Sequence, residues 1–368
     1  MEFFADGDAI LSALFVGFLA LWTIAVGAAI GSFLNVVIYR MPRKMSLIHP
    51  PSRCPRCETP IRPTDNVPIL GWLRLRGRCR ACGVPISARY PLVEALIAFL
   101  IFALAWCELY LAGANLPGGA IERVGFHPLL WRLDWVDLYR LGYHALLVVV
   151  AVAIGGIALD GFPPPRRLVL LMLALGLAVP MVVPAVWPVE MHWMAFELPG
   201  LPAPTNQRLV AARFAASGIL GIGAGVVMGA ALGFAARSID DRRGVLFLAV
   251  LIGLFLGWHA LATFALLAGI FAVISSGISR STGWRIPITV GTVLALLIQL
   301  FAWRWLEEWG QRILFANPFN LEPGWGPVGI WLLAAWFGTA LLAGLARLFA
   351  PAPGALAMTP VSISAPSD

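Results

Sequence analysis

The chain has 368 residues, of which 60% are hydrophobic and only 12% charged, with a net charge of +7. Soluble domains carry about 25% charged residues, so a water-soluble enzyme of this size is excluded, as is a disordered chain, which needs low hydrophobicity. Neither a collagen triplet nor a coiled-coil heptad is present, and the long apolar runs point to an all-α polytopic membrane protein.

A helix needs about 20 apolar residues to cross the hydrocarbon core. The first such run lies near 9–39. The residues before it are acidic (Glu2, Asp6, Asp8) and no Lys or Arg precedes Arg40, unlike the basic start of a cleaved signal peptide. Further runs lie near 91–113, 142–159, 167–188, 210–235, 244–257, 258–277, 286–306 and 327–349, giving about nine transmembrane helices. The sixth is short, with Gly257 marking a tight hairpin into the seventh; eight spans is the alternative. The division that follows is a first helix (1–39), a cysteine-bearing segment (40–90), a helical membrane domain (91–349) and a small, Pro-rich tail (350–368) read as disordered.

Eleven of the 26 Lys and Arg residues fall between Arg40 and Tyr90, against two acids, Glu58 and Asp65. The positive-inside rule places that segment in the cytoplasm and the N-terminus outside. Counting onward, Pro163 to Arg167, Arg237 to Arg243, Arg280 to Arg285 and Arg347 fall inside, and each carries basic residues. The loops 114–141, 189–209 and 307–326 fall outside and mix signs or lean acidic, as at Glu307 and Glu308.

Four of the five cysteines form two knuckles, Cys54-Pro-Arg-Cys57 and Cys79-Arg-Ala-Cys82, separated by 21 residues. Thiolates at i and i+3 grip one side of a tetrahedral ion and a second knuckle completes it, so the spacing predicts a small cytoplasmic zinc-ribbon-like insertion between the first two helices. Gly83 follows the second knuckle, and Pro60 and Pro85 sit at equivalent offsets. A reducing cytoplasm disfavours the competing reading, a redox disulfide pair. A closed four-cysteine site is structural rather than catalytic. Cys107, in an apolar run, reads as a packing residue.

The segment Gly31-Ser-Phe-Leu-Asn-Val-Val-Ile-Tyr-Arg-Met-Pro42, the two knuckles, and Ala88-Arg-Tyr-Pro-Leu-Val-Glu-Ala-Leu96 resemble, in that order, the type IV prepilin peptidase family. A weaker likeness continues through Leu256-Gly-Trp258 and Arg285-Ile-Pro287. The resemblance implies a bacterial inner-membrane aspartic endopeptidase that clips the short basic leader from prepilin-like or pseudopilin single-span proteins. It also implies, for many members, an N-methyltransferase activity using S-adenosylmethionine. The partners are then such a protein and the lipid bilayer, with no nucleic acid.

The residues add their own reading. Asn35, near the inner end of the first span, can hydrogen-bond across helices, and Gly31 and Ser32 permit close approach there. Glu94 is costly in lipid and should face a polar cavity or a basic partner such as Arg40 or Arg89, unless it reaches back to the interface.

An aspartic peptidase needs two carboxylates near one water, one as base and one supplying a proton. The family's first acid motif corresponds to Ile157-Ala-Leu-Asp160-Gly-Phe-Pro-Pro-Pro165-Arg166; aligning Pro165 with the family proline puts the usual catalytic position on Ala158. Asp160 lies two residues on, about 200° around a helix, so it substitutes only with a local rearrangement. Counting back from Leu256-Gly-Trp258, the second motif's acid becomes Val245. Asp241 lies one turn earlier, with Asp240 beside it, although Asp240-Asp241-Arg242-Arg243 also reads as a solvated, ion-paired loop. Asp160 and Asp241 are therefore the candidate dyad, with Asp240 as alternate. The competing reading is a family relative without proteolysis, acting as a methyltransferase or as a pilus or type II secretion assembly factor.

His49, His127, His144, His192 and His259 share no metal-ligand spacing, and His144, at the outer end of the third span, reads as an interface residue, the alternative being a partner for a polar group inside. Tryptophans such as Trp131, Trp135, Trp187, Trp193, Trp303, Trp305, Trp309 and Trp325 gather near span ends as an aromatic belt. The run Gly218-Ile-Leu-Gly-Ile-Gly-Ala-Gly225 suits close helix packing. Few intramembrane charges beyond Glu94 argue against a transporter.

Overall fold

A computed structural model describes residues 2–111, 113–117, 134–183, 186, 207–315 and 325–349. His127, His192, Trp131, Trp187, Trp193 and the tail 350–368 lie outside the described residues.

The helices are α1 (Glu2–Arg40), a short α2 (Leu70–Arg74), α3 (Arg89–Ala105), α4 (Trp135–Leu159), α5 (Arg166–Val182), α6 (Gln207–Gly233), α7 (Ile239–Phe255), α8 (Ala260–Thr282), α9 (Ile288–Phe301), α10 (Trp303–Phe315) and α11 (Trp325–Phe349). Each of the nine apolar runs lies on a helix, and α7 and α8 are separate, divided at Gly257 with φ +93°. Not all are long enough to span. Among the described residues, five helices are long and apolar enough to cross a membrane, or six if the bent pair α9–α10 is one span. Helices α5 and α7 have 17 residues each, about 26 Å at 1.5 Å per residue, short of a hydrocarbon core of about 30 Å.

Local chemistry sets the ends. Pro165 and Pro287 precede α5 and α9, where a missing N–H costs nothing. Ser238 caps α7 by accepting a bond from the Asp241 N–H at 3.0 Å.

Several boundaries differ from the sequence reading. Helix α4 begins at Trp135 rather than at 142, α7 begins at Ile239 rather than at 244, and α9 ends at Phe301. After Phe301 the chain turns by 85° into α10, so Glu307 and Glu308 lie on a helix rather than in a loop. In each case polar residues that read as loop continue a helix whose apolar part alone was visible in the hydropathy.

The core lies where α4, α7, α8 and α9 meet, with Leu147, Ala151, Leu251, Phe264 and Leu296 fully buried. Backbones approach closely at glycines. A Cβ at Gly31 would lie 2.7 Å from Glu94 Cα, and one at Gly221 only 1.9 Å from Gly253 O, so α1–α3 and α6–α7 pack with no side chain between them.

Candidate functional site

The segment after α1 forms two matching knuckles. In the first, Cys54 N–H donates to Thr59 O (3.0 Å) and Glu58 N–H to Cys54 O (2.9 Å); in the second, Cys79 N–H donates to Val84 O and Gly83 N–H to Cys79 O, both 2.9 Å. Glu58 (φ +55°) and Gly83 (φ +70°) occupy the same left-handed position, four residues past the first cysteine of each knuckle. Isolated antiparallel bridges, Arg53 with Pro60 and Arg78 with Pro85, close the two loops.

This places all four sulfurs within 4.8 Å of one another. Cys54 and Cys82 Sγ are 3.7 Å apart, and Cys57 and Cys79 Sγ 3.9 Å. Metal–sulfur bonds of about 2.3 Å in a tetrahedron put sulfurs about 3.8 Å apart, so the cluster has the dimensions of a metal site. The thiols are also unequal. Hydrogen bonds from the Thr59 hydroxyl and backbone N–H lower Cys57 to about 6, and the backbone N–H groups of Cys82 and Ala81 lower Cys79. Cys82 is pushed up to about 11: the Val84 N–H favours its thiolate, but burial and the neighbouring sulfurs outweigh that bond. Four adjacent thiolates need a cation among them.

Two buried polar side chains fix the helices that flank the ribbon. Asn35 Nδ2 donates to Tyr90 O across α1 and α3 at 3.1 Å, the interhelical bond its position suggests. Glu94, buried on α3, accepts a bond from Ile69 N–H at 2.6 Å, at the foot of α2. Its partner is thus a ribbon backbone amide rather than Arg40 or Arg89. Arg40 instead donates to Ser46 O and Pro50 O, and Arg89 to Asp160.

Between the ribbon and the helix ends lies a cavity of about 3060 Å³. One wall carries Cys54, Arg62, Trp72 and Ile86 of the ribbon; the other carries Asp160, Asp240, Asp241 and Arg285. Ten arginines against five carboxylates make its lining basic.

Asp160 sits just past the end of α4, where Gly161 (φ +77°) turns the chain toward the three prolines. Its Oδ1 accepts from Arg89 Nη1, and Arg43 Nη1 lies 4.0 Å from Oδ2. Ala158 lines the same cavity, whereas Val245 is fully buried in the core. Asp240 and Asp241 belong to the first turn of α7 rather than to a loop. Asp240 is paired with Arg243 at 3.2 Å. Asp241 reaches across to the start of α9: Oδ2 accepts from Ile288 N–H (3.0 Å), and Oδ1 from Thr289 N–H (2.9 Å) and the Thr289 hydroxyl (2.6 Å). Those are donors that a helix leaves unpaired at its N-terminus. Asp241 is therefore a cap donated by one helix to another, a role that the sequence reading missed because it depends on two segments 47 residues apart.

The chain's first quarter has known relatives. Residues 25–108 match the family model of the bacterial peptidase A24 N-terminal domain. Over that stretch the chain is similar to an A24 N-terminal domain. The chain is 55% identical over 84 residues to a prepilin leader peptidase/N-methyltransferase of Myxococcus xanthus, covering 23% of this chain and 25% of that protein. It is 48% identical over 102 residues to a type 4 prepilin-like proteins leader peptide-processing enzyme of Escherichia coli, covering 22% and 38%. It is 40% identical over 137 residues to a prepilin leader peptidase/N-methyltransferase of Aeromonas hydrophila, covering 30% and 45%. These names support the prepilin peptidase family. The chain spans between a quarter and less than half of the length of these relatives. No solved structure matches it. The matched stretch contains the four-sulfur ribbon, Asn35, Glu94 and Arg89; the three aspartates lie outside it.

Proposed function

We propose that this protein is an inner-membrane enzyme that processes prepilin-like or pseudopilin single-span substrates, with the ribbon and the aspartate-lined cavity on the cytoplasmic side. One observation carries the reading: the ribbon of the stretch that matches the A24 N-terminal domain closes one side of a cavity whose other wall holds Asp160, Asp240 and Asp241. The eleven basic residues of 40–90 are the charge argument for its sidedness.

In this reading Asp160 and Asp241 are the acid–base pair that shares a water at the scissile carbonyl. Asp240 is the alternate to Asp241, because its carboxylate does not cap a helix. Arg89 holds Asp160 in place until substrate competes for the guanidinium. The four thiolates hold a structural zinc, which supplies rigidity to the ribbon and no chemical step. Methyl transfer from S-adenosylmethionine to the new N-terminus is the second activity that the relatives' names bring to this chain.

The test is mass spectrometry of a co-expressed pilin. The parent should yield a shortened pilin, and Asp160→Asn should leave the leader uncut. Loss of cleavage in Asp241→Asn with full cleavage in Asp240→Asn selects the first pair, and the reverse selects the alternate. A leader uncut by the parent itself overturns proteolysis and leaves a methyltransferase or an assembly factor.

A further inference from the structure

The end of the bundle opposite the ribbon holds a buried polar cluster that this function does not use. Chain direction places it there: α3 starts at the ribbon and runs away to Glu108, α4 returns from Trp135 to Asp160, and α9 runs away from Asp241 to Phe301. Glu108, in a π-helical turn (Trp106–Tyr110) that continues α3, is 4% exposed, and His144 on α4 is 0% exposed. Of the two sequence readings of His144, interface residue or partner of an interior polar group, the structure shows the second, and Glu108 escapes notice beside Glu94.

His144 Nδ1 lies 2.6 Å from Glu108 Oε1, and Asn115 Nδ2 lies 3.5 Å from the same oxygen and 3.2 Å from Leu300 O. Trp303 stands edge-on to the His144 ring at 6.3 Å and stacks on His259 at 6.0 Å. Around this pair, Glu108 Oε2, His144 Nε2, Asn115 Oδ1 and Trp303 Nε1 are buried without a hydrogen-bond partner among the described residues. Each such atom costs about 1–3 kcal/mol if left unsatisfied, and this set mixes donors with acceptors, which is what a bound water needs in its two to four partners.

Two irregularities open the backbone at this level. One is the π turn itself, a local widening frequently found at functional sites. The other is the 85° break between α9 and α10, which brings Trp303 under the cluster. His144 is nine residues into α4, about 14 Å along its axis, well inside a spanning segment. Ionisable pairs at that depth mark proton or ion sites.

Other titratable groups among the described residues lie nearby. Cys107 and Tyr110 share the turn of Glu108, Tyr143 neighbours His144, and His259 begins α8. Arg140 is paired with Asp137 at 3.3 Å, and Arg304 with Glu308 at 3.0 Å; Glu307 lies beside the latter on α10. Among the described residues, His144 is the titratable group within hydrogen-bond reach of the Glu108 carboxylate.

We propose that Glu108 and His144 form an intramembrane proton-binding site, hydrated by ordered water linking Glu108 Oε2, His144 Nε2 and Trp303 Nε1. The site exchanges protons with the aqueous phase at this end of the bundle.

The experiment uses the full chain in lipid nanodiscs. Infrared difference spectra taken across about pH 4 to 9, the range that covers ordinary carboxylates and imidazoles, should show carboxyl and imidazole bands changing together. Glu108→Gln should remove the carboxyl band and uncouple the imidazole band; His144→Gln should abolish the joint transition. An imidazole response unchanged in Glu108→Gln overturns the proposal. Without any substitution, nitrogen-15 spectra of histidine-labelled protein should show magnetisation transfer from water to a buried imidazole, weakened in Trp303→Phe, which keeps the ring stack. A wild-type spectrum with no such transfer overturns the hydrated site, whether or not the glutamate variant folds.

Discussion

Residues 25–108 and the helices from Trp135 onward are built from the same apolar material, yet their polar chemistry is organised differently. In the first region the decisive groups come in short sequence units. Two cysteines three residues apart make half a metal site wherever the knuckle folds, and two such halves meet across a small ribbon. In the second, each carboxylate sits at the end of one helix, and its role depends on which other helix end lies opposite. Asp160 meets Arg89 and Asp241 meets the start of α9. Local chemistry is thus robust to drift in the rest of the chain, and chemistry assembled from helix ends is not.

The largest effect expected separates the two regions outright. Chelation, or Cys79→Ser, should release one metal ion per chain and expose the ribbon between Arg40 and Ala88 to protease, while α4 and α8 stay protected. Metal analysis and limited proteolysis read this; simultaneous loss of all helices would join the regions into one cooperative unit. The next largest lies in the second region. Asp241→Ala removes the two oxygens that accept three hydrogen bonds at the start of α9 and should cost about 2–3 kcal/mol, with Asp241→Asn roughly half as severe. Faster amide exchange at Ile288 and Thr289 should accompany the loss. Within the first region, Gly31→Ala drives a methyl against Glu94 Cα and should cost about 1–2 kcal/mol by forcing α1 from α3, read as a lower thermal midpoint.

The smallest effect is electrostatic. Asp65 accepts a bond from Arg80 Nε at 2.6 Å, and that bond, with the guanidinium's charge, lowers its carboxyl below the usual range. A lowered folded-state value stabilises the ribbon fully above the unfolded value of about 3.9 and loses that contribution as pH falls through the folded value. The advantage of the parent over Asp65→Asn should therefore hold near neutrality and vanish in strong acid, in parallel unfolding curves. An advantage that persists there would show that the pair acts through packing.

What could be read beforehand follows the same division. The cysteine knuckles, the Asn35 bond and the glycine contact of α1 with α3 are legible because each depends on neighbours in sequence or on one helix pair. The helical runs are legible too, since hydropathy reports burial in lipid directly. Helix ends are not: α7 extends through Asp240 to Ile239, so two aspartates that look like solvated loop residues become a first turn. The cap that Asp241 provides and the pairing of Glu108 with His144 join segments 47 and 36 residues apart, and no local spacing announces either. Glu94 shows the intermediate case. Burial makes its need for a partner visible, but the partner is a backbone amide, which no side-chain pattern can reveal.

The turn after Phe301 has a consequence for how the molecule floats. A helix set at 85° to its predecessor breaks the line of α9, as a broken span or a re-entrant turn does. Trp305 and Trp309 project from it at 70% and 53% exposure, near the acids Glu307 and Glu308. Indole rings favour the border between acyl chains and headgroups, so the outward face of α10 carries the chemistry of a sideways anchor.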